Sequence, residues 1–91
     1  MNQAELIQQV ADEANLTKTQ TQSAVKALLK TIMRVVADGN KVILVGFGSF
    51  EPRERSAREG RNPKTGEIVQ IPAARLPSFS AGKTFRDTVN K

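Results

Sequence analysis

The sequence predicts an α+β fold: a helical hairpin, then a three-stranded antiparallel sheet with a protruding β-ribbon arm, then a short C-terminal helix. Apolar residues recur at helical spacing up to about residue 37, and after Asn40 they form short β-branched runs separated by Gly and Pro. A length of 91 residues favours one domain. We divide it into a helical base (1–39), a sheet (40–80) whose arm covers about 54–74, and a helical end (81–91).

Both helices of the predicted hairpin begin with a recognisable signal. Asn2 and Glu5 have the spacing of a capping box, and Thr17 and Gln20 repeat that spacing. The second helix is predicted to end at Gly39, because glycine adopts the left-handed conformation without strain. It carries a long apolar stripe made of Val25, Leu28, Leu29, Ile32, Met33 and Val36.

The second half of the chain has the pattern of strands and turns. Residues 41–45 are predicted to form a strand, 46–48 a turn, and 49–55 a second strand. Pro52 has no N–H group for a sheet ladder, so the second strand is predicted to be an edge or bulged there. Ser80 is predicted to cap a short helix from residue 81 to about 89.

The stretch from Ser56 to Val69 has almost no apolar content before Ile68, so it cannot pack onto a core. Two turn signals, Asn62-Pro63 and Thr65-Gly66, lie between flanks that resemble strands. This pattern favours a β-ribbon that projects into solvent. A disordered loop is the competing interpretation.

A projecting arm has a consequence for stability. It leaves about 70 residues for the core, and a core of that size rarely supplies more than about 3–5 kcal/mol. The apolar stripe of the second helix is also longer than a small sheet and a short helix can cover. We therefore expect a dimer, and we assign its core to seven apolar residues: Leu29, Ile32, Val36, Leu44, Phe47, Phe50 and Phe79.

Charge and missing residue types limit the function. Lys and Arg number 14 against 9 Asp and Glu, a net charge of +5, which points to a polyanionic partner such as nucleic acid. The chain has no Cys and no His, so thiolate metal sites and the commonest general base are excluded, and we predict neither an enzyme nor a cofactor. The alternative to a polyanionic partner is that the ribbon carries charge only to keep the protein soluble.

The aromatic residues favour duplex DNA as the partner. All four are Phe among apolar or Gly neighbours, and the arm has none, whereas readers of RNA and single strands usually expose aromatic side chains. No helix has a clustered basic face for major-groove reading. One interpretation of Pro63 is that it is an ordinary turn proline. At the tip of a basic arm it can also act as a wedge that unstacks bases in the minor groove.

Three segments give the chain its resemblance to the HU/integration host factor family of bacterial histone-like DNA-binding proteins: 45–50 (VGFGSF), 58–66 (REGRNPKTG) and 77–86 (PSFSAGKTFR). The resemblance covers essentially the whole chain. It implies an intertwined dimer, with itself or with a paralogue, whose two arms wrap duplex DNA through the minor groove. It further implies little sequence preference, a preference for bent or nicked DNA, compaction of the nucleoid and constraint of supercoils.

The resemblance also implies which residues bind DNA. Those of the saddle-shaped sheet are Arg53, Arg55 and Arg75; those of the arm are Arg58, Arg61, Asn62 and Lys64; those of the body are Lys83 and Arg86. Pro63 is the intercalating residue. Family members commonly carry Lys where this chain has Gln3, Glu67 and Gln70, so we expect fewer phosphate contacts and a shallower salt dependence than in more basic relatives.

Other functions stay open at this stage. A sequence-specific DNA bender like integration host factor is the first alternative, and an RNA-binding regulator, with RNA as a secondary partner, is the second. A small hydrolase would have to use Glu51, Glu54 and Glu59, which are more simply charge balance on a ribbon. The first ten residues lack the features of a secretory signal and no apolar run approaches about 20 residues, so we expect a cytoplasmic, nucleoid-associated protein without a membrane partner.

Overall fold

The computed structural model describes all 91 residues as three helices and five strands, which confirms the α+β prediction. The chain forms two compact units, Met1–Arg34 and Val35–Lys91. In chain order the elements are α1 (Gln3–Ala14), α2 (Lys18–Ala37), β1 (Val42–Leu44), β2 (Gly48–Arg55), β3 (Arg58–Arg61), β4 (Ile68–Ile71), β5 (Ala74–Ala81) and α3 (Lys83–Val89).

The first unit begins both of its helices with side-chain caps, as predicted. The Glu5 N–H donates to Asn2 Oδ1 at 2.9 Å. Thr17 and Gln20 cap each other: the Gln20 N–H donates to Thr17 Oγ1 at 3.1 Å, and the Thr17 N–H donates to Gln20 Oε1 at 3.0 Å. Asn15, in the left-handed region at φ 57°, ends α1. Capping of this kind satisfies amide groups that have no partner within the helix, so the helix ends follow from local sequence.

The end of α2 also follows the prediction. Gly39 has φ 93°, and its N–H donates to Val36 O at 3.0 Å, while the Asn40 N–H donates to Val35 O at 3.1 Å. These two bonds form a Schellman motif, which needs a residue with positive φ at the position of Gly39.

A three-stranded antiparallel sheet in the order β1-β2-β5 lies in the second unit. Phe50 of β2 lies opposite Val42 of β1 and Phe79 of β5. Because residues opposite each other point to the same side and side chains alternate along a strand, the register defines two faces. The Phe face carries Val42, Leu44, Phe50, Pro52, Glu54, Arg75, Pro77 and Phe79; the Ser face carries Ile43, Ser49, Glu51, Arg53, Arg55, Ala74, Leu76, Ser78 and Ser80.

Pro52 is accommodated as the sequence predicts. It lies opposite Pro77, in the part of β2 that extends beyond the last pair with β1, Val42 with Phe50. At this point β2 has only β5 as a neighbour, so the missing N–H of Pro52 breaks no bond with β1. The pairing with β5 continues through the proline without a bulge.

Strands β3 and β4 form a separate two-stranded antiparallel ribbon, so the ribbon and not the disordered loop is confirmed. Arg58 lies opposite Ile71, and Arg61 lies opposite Ile68. The turn between them is closed by the Asn62 N–H, which donates to the Glu67 carbonyl oxygen at 2.8 Å. Most ribbon side chains are exposed.

The start of the C-terminal helix differs from the prediction. Ser80 does not cap the helix and Ala81 is not its first residue, because both remain in β5, opposite Ser49 and Gly48. The N-cap is Gly82, which has no side-chain cap and whose N–H donates to Phe47 O at 2.8 Å. Pairing with β2 therefore carries the strand past the residue that local sequence marks as a cap.

Four phenylalanines pack against one another in the second unit. The ring centroid of Phe79 lies 4.9 Å from Phe50, 5.4 Å from Phe47 and 6.3 Å from Phe85. These distances suit aromatic pairs. The cluster is open on one side, since Phe47 is 46% and Phe79 is 41% exposed.

The residues predicted as a dimer core are unevenly covered within one chain. Val36 is buried, whereas Ile32, Leu44 and Phe50 are half-buried and Leu29 is exposed. Sixteen large apolar side chains are exposed in all. None of the three helices is both long and apolar enough to pass through a membrane.

Candidate nucleic-acid interface

The Ser face of the sheet carries hydroxyl and charged side chains beside two exposed apolar residues, Ile43 and Leu76. Ser49, Ser78 and Ser80 are short side chains, and Arg53 extends from the same face into solvent. The carboxylate on this face, Glu51, has a cationic neighbour at 3.7 Å in Lys41 Nζ. Short side chains let a DNA backbone approach, and hydroxyl and guanidinium groups donate hydrogen bonds to phosphates. This face can therefore hold a polyanion.

Arg75 lies on the opposite face of the sheet from Arg53 and Arg55. It lies opposite Glu54 on the Phe face, and its Nε donates to Glu54 Oε1 at 3.1 Å. Its Nη1 donates to the carbonyl oxygen of Ala37, in the last turn of α2, also at 3.1 Å. These two contacts hold Arg75 beside Glu54 and the end of α2, while its side chain keeps 51% of its surface exposed, and its predicted contact with DNA stays a prediction.

Arg55 lies on the Ser face but is turned along the protein surface. Its Nη2 donates to the carbonyl oxygen of Pro72 at 3.3 Å, and the side chain is half-buried. Its Nε is buried and has no hydrogen-bond partner. Arg55 is therefore less available to a ligand than Arg53.

The ribbon has two different faces. Arg58 shares one face with Gly60, Val69 and Ile71, and Arg61 lies on the other face, which also carries Glu59, Ile68 and Gln70. Both arginines are exposed, and neither has an ion-pair partner. A ribbon inserted in a DNA groove has a phosphate strand on each side, so an arginine on each face can reach a different strand.

The tip of the ribbon is held by its own backbone. Asn62 accepts the Lys64 N–H on Oδ1 at 2.9 Å, and Asn62 O accepts the Gly66 N–H at 2.7 Å. Gly66 has φ 75°, a conformation that favours glycine. Pro63 is exposed and takes part in none of these bonds, and Lys64 is exposed. The turn therefore presents an apolar ring beside a free ammonium group.

The predicted residues of the body lie on α3. Lys83 Nζ is 2.8 Å from Asp87 Oδ2, and both side chains are mostly exposed. Arg86 is exposed without an ion-pair partner. Sequence reasoning missed the pairing of Lys83 although the i,i+4 spacing of the two residues could have revealed it.

No group of three or more His, Cys, Asp or Glu side chains is placed to hold a metal ion. The arrangement has basic residues on an open sheet face, on both faces of a ribbon and on a terminal helix. It can bind a polyanion without chemical change to either partner.

Fold and site together define a class: small basic α+β proteins that carry a β-ribbon arm on a sheet. The family of bacterial DNA-binding proteins matches residues 1–90, and this chain belongs to that family. It is 58% identical over 89 residues to DNA-binding protein HU of Nostoc sp. strain PCC 7120, covering 98% of this chain and 95% of that protein. It is 54% identical to DNA-binding protein HU of Clostridium pasteurianum over the full length of both.

Solved structures give the same result. The Anabaena HU–DNA cocrystal structure has a TM-score of 0.92 and 58% identity to this chain, and the match covers 98% of this chain and 97% of that one. HU from Thermotoga maritima is more distant, with a TM-score of 0.69 and 31% identity over 98% of each chain.

Proposed function

We propose that this protein is a histone-like architectural protein that binds duplex DNA, bends it and compacts it within the nucleoid. The single observation that carries the proposal is the ribbon, whose two faces each present an exposed arginine and whose tip presents Pro63. Charge on both faces matches a groove bounded by two phosphate strands, and the ring can enter a base step and support a kink. HU of Anabaena, to which the chain is similar, is described in complex with DNA.

The contacts divide into three groups. Arg53 on the Ser face, together with Lys83 and Arg86 on α3, holds phosphates and positions the duplex. Arg58, Arg61, Asn62 and Lys64 follow the minor groove along the ribbon. Contacts with phosphate and sugar carry no sequence information directly, so binding has little sequence preference and depends steeply on salt.

We propose further that the protein acts as a homodimer. Phe47, Phe79 and Phe85 keep between 36% and 46% of their surface exposed, as does Leu29 of α2. Removal of apolar surface from water is the main favourable term in the association of two chains, and the ordering of the two chains opposes it. An open aromatic cluster and an exposed apolar stripe on a helix are surfaces of the kind that a partner covers. A dimer would close both and would present two ribbons to the DNA.

Gel-shift titrations with linear, nicked and bent duplexes of equal length, each at several salt concentrations, test the proposal. We expect tighter binding to nicked and bent DNA, and an affinity that changes by less than about 100-fold between unrelated sequences, because specific readers exceed that ratio. A footprint with fixed boundaries on one sequence would instead favour a sequence-specific bender. Stronger binding to single-stranded RNA than to duplex DNA would refute the proposal.

A further inference from the structure

The two strands that join the sheet to the ribbon lose their pairing at the same level. Pairing of β2 with β5 ends at Arg55 opposite Ala74, and pairing of β3 with β4 begins at Arg58 opposite Ile71. Residues 56–57 and 72–73 lie between these pairs and belong to no strand. We call these four residues the root of the arm. An unpaired level in both strands is the place where a ribbon can bend relative to its sheet.

One side chain crosses the root. Arg55, the last residue of β2, donates from Nη2 to the carbonyl oxygen of Pro72 on the other strand, at 3.3 Å. Pro72 has no N–H group, so no backbone bond can form from its nitrogen. No other hydrogen bond of a root residue links the two strands at this level. The guanidinium of Arg55 thus links the two strands at a level where they have no backbone hydrogen bonds to each other.

The burial of Arg55 fits this role better than that of a free phosphate ligand. The side chain is half-buried, and its Nε is shielded from water without a partner. Leaving a polar group of arginine in that state is costly, and a guanidinium that only had to meet phosphates would extend into solvent, as Arg53 on the same face does.

We propose that Arg55 is a positioning residue: it fastens the root of the arm and so sets the direction in which the ribbon leaves the sheet, and it contributes no phosphate contact of its own. The inference rests on the proposed function only where DNA is used as a readout. The proposal gives different roles to two arginines that lie two residues apart on one face: Arg53 binds phosphate, and Arg55 orients the arm.

The first test needs no substitution and no DNA. In the wild-type protein, exchange of the Nε–H protons of Arg53 and Arg55 with water is measured by NMR. A shielded Nε–H should exchange at least about tenfold more slowly than an exposed one. Equal rates for the two side chains would overturn the proposal.

The second test compares Arg55→Gln with the matched variant Arg53→Gln. In the free protein, Arg55→Gln should lower the amide order parameters of Gly60 and Thr65 below their wild-type values, and Arg53→Gln should not. The amide of Phe50, inside the sheet, serves as the reference for an intact fold. Unchanged ribbon amides in Arg55→Gln would overturn the proposal.

The third test uses the slope of log affinity against log salt on one duplex. Arg53→Gln should reduce the slope by about 1.8, the loss of one phosphate contact from each chain of the dimer, whereas Arg55→Gln should leave the slope unchanged and broaden the distribution of bend angles. A slope reduced by about 1.8 in Arg55→Gln would make Arg55 a phosphate ligand. If the wild-type protein does not bind duplex DNA, the proposed function fails while the first two tests still decide the role of Arg55.

Discussion

Replacing Pro63 by alanine should separate the bending of DNA from its binding. The turn that carries Pro63 is held by bonds in which the proline takes no part: the N–H groups of Asn62, Lys64 and Gly66 donate to Glu67 O, Asn62 Oδ1 and Asn62 O. Proline has no N–H group, so alanine removes no donor from this turn. The substitution should therefore leave the ribbon folded and remove only the ring.

The expected magnitude follows from the size of the ring. Pro63→Ala removes the equivalent of two methylene groups from the wedge, and each buried methylene contributes about 0.8 kcal/mol. The loss on an intact duplex is then about 1.6 kcal/mol for each arm, a factor of about 15 in affinity. A nicked duplex bends at a lower free-energy cost than an intact one, so we expect Pro63→Ala to lower the affinity for nicked DNA by less than about threefold.

Fluorescence energy transfer between dyes at the two ends of a duplex measures the bend angle at saturating protein. We expect Pro63→Ala to reduce the bend of intact duplex clearly. The control is Arg61→Ala, which keeps the wedge, removes one phosphate contact and should weaken binding on every substrate. An unchanged bend angle in Pro63→Ala would show that the ring is only a turn residue and that the wedge assignment is wrong.

Three further predictions concern the fold and the assembly. Sedimentation equilibrium at micromolar concentration should give twice the chain mass of 9.9 kDa, and a stable folded monomer would contradict the dimer. Gly48→Ala should lower the free energy of unfolding, measured by urea denaturation, by about 1–3 kcal/mol, because a Cβ there would lie 2.5 Å from Ser80 O. An unchanged free energy of unfolding would mean that β2 and β5 can move apart at this point without cost. Thr17→Ala removes the oxygen that accepts the Gln20 N–H and should cost about 1 kcal/mol in the same assay, whereas a loss near zero would show that the cap contributes nothing.

Features fixed by neighbouring residues could be predicted from the sequence. The caps at Asn2 and Thr17 and the helix end at Gly39 depend on contacts within six residues, and all three were predicted correctly. The ribbon followed from a polar stretch with turn signals at its centre. Each of these features has its cause within the segment that displays it.

Features that depend on strand register could not be predicted in the same way. Ser80 resembles a helix cap locally, but its pairing with Ser49 keeps it in a strand. Arg75 of β5 lies on the Phe face because Glu54, and not Arg53, is its partner in β2, and a shift of one residue would move it to the other face. The long ribbon between β2 and β5 hides that register from any local pattern. The contact of Arg55 with a backbone oxygen has no signature in the sequence either.

The opposed pair of Pro52 and Pro77 also affects how readily the sheet can pair with a strand of another copy. Neither residue has an N–H group, so their pair must occupy a position where the two nitrogens point away from each other, toward the outer edges of β2 and β5. A foreign strand that tried to add to either edge would lack a donor at that level. This level of the sheet is therefore an unfavourable place for a strand of another copy to add.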